Sequence, residues 1–61
     1  MIKILIVEDE ESISNLIQMN LTKVGYQCEV AYDGKSGADK LLESRYDLCY
    51  AILRRRRTLL I

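Results

Sequence analysis

The chain has no proline, histidine, tryptophan or phenylalanine, and only two cysteines and three glycines. Without histidine, the commonest general base and zinc ligand is gone, and no nucleophile–base pair can be named. Cys28 and Cys49 form no Cys-x-x-Cys pair, so the usual signature of a structural zinc is missing as well. No linker rich in Pro, Gly or Ser divides the chain. No apolar run approaches the ~18 residues of a membrane-spanning helix. The N-terminal apolar run is short and meets acid instead of a small-residue cleavage site, so no secretory signal is read there. A soluble cytoplasmic chain with reduced thiols is the expectation. Sixty-one residues make at most one small domain. A core of this size seldom supplies more than about 3–5 kcal/mol, and disulfide and metal staples are absent.

Half the residues are apolar, which is ordinary for a globular chain and argues against disorder throughout. Nine basic residues balance nine acidic ones, but unevenly. Residues 1–53 carry five basic and nine acidic groups, a net of 5 − 9 = −4, while Arg54, Arg55, Arg56 and Arg57 give the last eight residues +4. Body and tail therefore read as different things: 1–53 as the domain, 54–61 as a basic and apolar tail.

The chain is organised around Ile4-Leu5-Ile6-Val7, which runs into Glu8-Asp9-Glu10-Glu11. A continuous apolar, β-branched run reads as a strand buried on both faces, as in parallel sheets. The carboxylates fall where that strand ends and a helix begins, the edge at which open α/β sheets bind ligands. Like charges crowded on one turn point to a cation, a proton or a phosphate partner. The simpler reading is an acid-rich helix start that suits the helix dipole.

Ile13, Leu16, Ile17, Leu21 and Val24 recur at helical spacing, which predicts a helix from about Glu11 to Val24, capped by Asp9 or Glu10 and ended by Gly25. Gln27 to Tyr32 alternates as a second strand at a sheet edge. Asp33-Gly34 marks a turn and a cap. Ala38, Leu41 and Leu42 predict the inner face of a second helix, from about Gly34 to Ser44, in which Gly37 permits close packing. Asp47 opens a third strand, Leu48 to Leu53. The order is βαβαβ, an α/β arrangement whose helical crossovers make the strands parallel.

Lys3-Ile4-Leu5-Ile6-Val7-Glu8-Asp9-Glu10, the helix through Leu21, Gly25-Tyr26, Ala31-Tyr32-Asp33-Gly34, Leu41-Leu42 and Tyr46-Asp47-Leu48 together resemble the N-terminal half of a response-regulator receiver domain. The resemblance runs from Met1 to about Leu48. It implies a fragment of a flavodoxin-like, doubly wound parallel sheet with strand order 2-1-3. It also implies a sensor histidine kinase as partner and a place in two-component phosphorelay signalling. By the motif, Glu8 and Asp9 correspond to the acid pair that holds Mg²⁺, a hard cation usually held by one or two carboxylates plus waters and phosphate oxygens.

The departures from the family matter as much. Its acceptor aspartate lies five residues after the Asp of an Asp-Leu pair opening strand three. Counted from Asp47, that position is Ile52, which has no nucleophile. The expectation is a chain that is not itself phosphorylated and holds Mg²⁺ weakly at most. Beyond Leu48 the sequence is unlike the family, a junction that a frameshift or a break in the gene would produce.

In the order 2-1-3, strands two and three lie about 9–10 Å apart, beyond the ~7 Å reach of a disulfide between Cys28 and Cys49. The third strand is expected to be an unpaired edge that invites self-association. Three functions follow as expectations: a non-enzymatic receiver fragment, a kinase-binding decoy that keeps the surface of helix one, and a binder of nucleic acid or anionic membrane through Arg54 to Arg57. No aromatics interleave those arginines, so no specific nucleic acid is expected.

Overall fold

The computed structural model describes the backbone of residues 1–53 and 57–60, and the side chains of residues 1–51. Its elements are β1 (Lys3–Glu8), α1 (Glu11–Lys23), β2 (Gln27–Ala31), α2 (Gly34–Glu43), β3 (Leu48–Leu53) and β4 (Arg57–Leu60). β1 is central and pairs in parallel with β2 on one side and β3 on the other. Ile4, Leu5, Ile6, Val7 and Glu8 are all buried, as expected of a strand covered on both faces. The order β2-β1-β3 is the one the resemblance implied.

β4 corrects one expectation. The outer edge of β3 is not unpaired, because β4 runs antiparallel along it with Tyr50 opposite Leu60 and Leu53 opposite Arg57. Strand backbone seeks hydrogen-bond partners, and Thr58-Leu59-Leu60 is a strand-compatible run. An antiparallel return needs only a short connection, whereas a parallel strand would need a dozen residues or more. The outer edge of the sheet is thus β4, and half of the tail expected to stand apart extends the domain's sheet.

Alternation along β1 sorts the core into two faces. Leu5 and Val7 cluster with Ala31 and Cys49, with Tyr46 and Ala51 packed against them. Gly37 of α2 lies on this face: a Cβ there would sit 2.8 Å from Val7 Cγ2. The missing side chain is what lets α2 approach the sheet. Ile4, Ile6 and Glu8 point to the opposite face, on which the right-handed crossover places α1. Cys28 registers with Ile4 and Cys49 with Leu5, so the cysteines lie on opposite sides of β1 and on opposite faces. Both are free thiols.

The helix ends follow local chemistry. Asp33 caps α2 by accepting a 2.7 Å hydrogen bond from the Ser36 N–H. α1 closes in a Schellman turn, with Gly25 at φ +102° and the Tyr26 and Gly25 N–H groups donating to the Leu21 and Thr22 carbonyls. The start of α1 differs from expectation: Glu10 takes the N-cap position in extended backbone, but its side chain makes no capping bond.

The inner faces of the helices also differ from the apolar stripes. In α1 it is Ser14 that is fully buried, its hydroxyl donating to the Glu11 carbonyl, with Ile17 and Leu21 half-buried beside it. Ile13, Leu16 and Val24 are exposed. In α2 the buried residue is Gly37, while Ala38, Leu41 and Leu42 face outward, Leu42 at 86% exposure. In α1 the buried line is shifted around the helix from the apolar stripe, and in α2 the whole predicted stripe is exposed. No helix among the described residues is long and apolar enough to cross a membrane.

Candidate functional site

The acidic edge is built by the end of β1. Glu8 is the last strand residue and only 3% exposed. Its Oε1 accepts from the Glu10 N–H at 3.4 Å, a long contact. Its Oε2 is buried and has no hydrogen-bond partner among the described residues. A carboxylate oxygen withdrawn from water without a partner is costly, roughly 1–3 kcal/mol or more. Asp9 follows in the bend and is exposed, as are Glu10 and Glu11.

The parallel register fixes what lies across from this edge. Glu8 pairs with Ile52, and Val7 with Ala51. The position that the family motif reserves for an acceptor aspartate is therefore the direct neighbour of the buried carboxylate, and it carries an aliphatic residue. No group of three or more His, Cys, Asp or Glu placed to hold a metal ion occurs among the described residues. As donors, Glu8 and Asp9 suit a hard divalent cation, and the orphaned Oε2 is an atom such a cation would satisfy. Arg54, Arg55 and Arg56 lie outside the described residues. Arg57 opens β4, and only its backbone is described.

A second polar cluster was not legible beforehand. The Tyr46 hydroxyl donates to Glu29 Oε1 at 2.5 Å. Lys3 Nζ lies 3.6 Å from Glu29 Oε2 and 4.8 Å from the centre of the Tyr46 ring, and Lys40 Nζ lies 3.7 Å from Oε1. The hydrogen bond from Tyr46, helped by Lys3 and Lys40, holds the Glu29 carboxyl below its usual range. Burial, and then the same carboxylate, pushes the Tyr46 phenol up to about 12. The cluster ties β1, β2, α2 and the approach to β3 together. Asp47 adds a clamp there, accepting from the Lys3 N–H and donating its own N–H to the Lys3 carbonyl, both at 2.8 Å. The one sequence signal was a lone acid, Glu29, on the side of β2 that also carries Ala31. Cys49 is no reactive thiol, because burial pushes its pKa up.

Response regulator ArlR of Staphylococcus saprophyticus is 46% identical to this chain over 48 residues. ArlR of Staphylococcus epidermidis is also 46% identical over 48 residues, and that of Staphylococcus aureus strain COL is 44% identical. In each case the match covers 79% of this chain and 22% of the relative, so the chain spans about a fifth of the length of the curated relatives it matches. No family model matches the chain, and no solved structure matches it. The matched stretch is the N-terminal one, the same span that the motifs cover. Over its N-terminal 48 residues the chain is therefore similar to response regulators, consistent with a truncated receiver domain.

Proposed function

We propose that this chain is a receiver-domain fragment of a two-component phosphorelay that does not itself accept a phosphoryl group. The observation that carries the reading is the pairing of Glu8 with Ile52. An aliphatic side chain at that position has no oxygen to attack phosphorus. Glu8 and Asp9 remain as oxygen donors for Mg²⁺, held weakly for want of a third carboxylate. When bound, that ion supplies positive charge beside a transferring phosphoryl group. What these residues do on their own is keep a negative, partly desolvated edge at the end of β1. The chain acts without catalysis, in the cytoplasm, where response regulators and their kinases meet.

A second reading is that the chain competes with complete receivers for a sensor histidine kinase. The observation that favours it is the uncovered flank of α1, where Ile13, Leu16 and Val24 are exposed. Incubation with phosphorylated kinase and a complete receiver separates the two. The first reading expects no phosphate on this chain and an unchanged rate of transfer to the receiver. The second expects a slower rate. Phosphate on this chain would remove both. The origin of the junction after Leu48 is a shifted reading frame in this proposal. Translating the other frames downstream of codon 48 should reveal an aspartate followed by a Leu-Pro turn, and its absence would sink the frameshift.

A further inference from the structure

The outer flank of α1 combines exposed apolar side chains with an absence of charge along its length. Leu16 is 56% exposed and Val24 67%, with Ile13 and Met19 also open to solvent. Between Glu11 and Lys23 no residue is charged, so Ser12 to Thr22 offers uncharged surface over three turns. Depletion of charge is the compositional mark of an interface core. α2 differs: its exposed Leu41 and Leu42 stand among Lys35, Asp39, Lys40 and Glu43.

The charges that α1 does carry lie at its two ends and have opposite sign. Asp9, Glu10 and Glu11 stand at the start and Lys23 in the last turn, and all four are exposed. A helix with this pattern complements its own copy when the two run antiparallel. Each Lys23 then meets the acidic start of the other helix, and the two helix dipoles oppose. A parallel pairing would set Lys23 on Lys23 and acid on acid.

We infer that the exposed flank of α1 is a homodimer interface, at which a second copy of this chain packs antiparallel with Leu16 near the two-fold axis. Such an interface is self-complementary and closed, so it yields dimers without fibres. It uses a helix face and leaves the outer edge of β4 unpaired. It uses the same flank as the second reading above, with a second copy of the chain in place of the kinase.

The test is sedimentation of the full chain from micromolar to millimolar concentration, with backbone amide shifts followed on dilution. The expected result is a monomer–dimer equilibrium whose dilution shifts map to Ile13–Val24. Leu16→Glu should weaken dimerisation roughly tenfold or more, since a large apolar side chain leaves the interface. Leu42→Glu on α2 should leave it unchanged. Lys23→Glu should weaken it, because Lys23 lies on the same side of α1 as Leu16 and meets the acidic start of the partner helix. Far-UV circular dichroism reports whether each variant is folded. If Leu16→Glu fails to fold, the dilution shifts of the unaltered chain decide alone. A monomer at every concentration, shifts that map to β4 or α2, or binding of a kinase helical domain to α1 in a chain that stays monomeric would each overturn the inference.

Discussion

Ile52 is the cross-strand partner of Glu8 at the end of the β1–β3 ladder. The pair places an aliphatic residue beside a buried carboxylate with one unpartnered oxygen. Ile52→Asp should therefore lower the melting temperature in chelator, because two carboxylates now crowd one edge. Mg²⁺ should recover much of that loss, while the unaltered chain responds little. Thermal melts with and without Mg²⁺ read both effects. An equal response in the two chains would count against the acid pair as a cation edge.

Gly37 offers a sharper test of packing. Alanine would gain helix propensity of about 1 kcal/mol, but its Cβ would lie 2.8 Å from Val7 Cγ2. Overpacking of this kind typically costs about 1–3 kcal/mol, a large part of what so small a core supplies. Gly37→Ala should thus be destabilised in urea titration. Val7→Ala, which vacates the space, should make the second substitution at Gly37 far less harmful than it is alone. Additive losses in the double variant would show that the contact is not the cause.

Gly25 tests the backbone alone. Nothing lies within 4 Å of where its Cβ would be, yet its φ is +102°. Gly25→Ala should cost about 1 kcal/mol through the left-handed conformation, with no steric term. Gly34→Ala, in equally open space but at ordinary φ, should be neutral or stabilising by up to about 1 kcal/mol. If the two substitutions behave alike, the Schellman turn is not closing α1.

The Glu29–Tyr46 cluster predicts a pH profile. The Glu29 carboxyl is held low, chiefly by the Tyr46 hydrogen bond, so its contribution is present above the usual glutamate range. It is lost as pH falls through the lowered value. The Tyr46 phenol is raised to about 12, so its contribution is present below about pH 10 and lost as pH climbs toward 12. Tyr46→Phe should flatten stability at both ends. Urea midpoints across pH read this, and a double-mutant cycle with Glu29→Gln should return a nonzero coupling. Each lysine contact is part-exposed and adds little by itself.

What the sequence disclosed was mostly local or repetitive. The unbroken run Ile4–Val7 can be buried only on two faces, and Asp33 and Gly25 sit where caps must sit. The opposite placement of Cys28 and Cys49 followed once the strand order was known. Periodicity found the stripes of α1 and α2 but not their inner faces, because a period gives the spacing of a stripe and not which side of the helix the sheet approaches. Ser14 and Gly37 are inside for that reason, and Leu16 and Leu42 outside. β4 was hidden by a run of four arginines that read as tail, although the last of them, Arg57, already pairs with Leu53 at the start of the strand. The bond between Tyr46 and Glu29 spans 17 residues and leaves no trace in either one's neighbours.

Because β1 alone, among the described strands, has a parallel partner on each side, six consecutive residues act as the keel of the molecule. Peel that segment away and β2 loses its one strand neighbour among the described residues, while β3 keeps only the antiparallel β4. Collapse should accordingly be a single event without partly dismantled stages, and a nick anywhere between Lys3 and Glu8 should scuttle the whole.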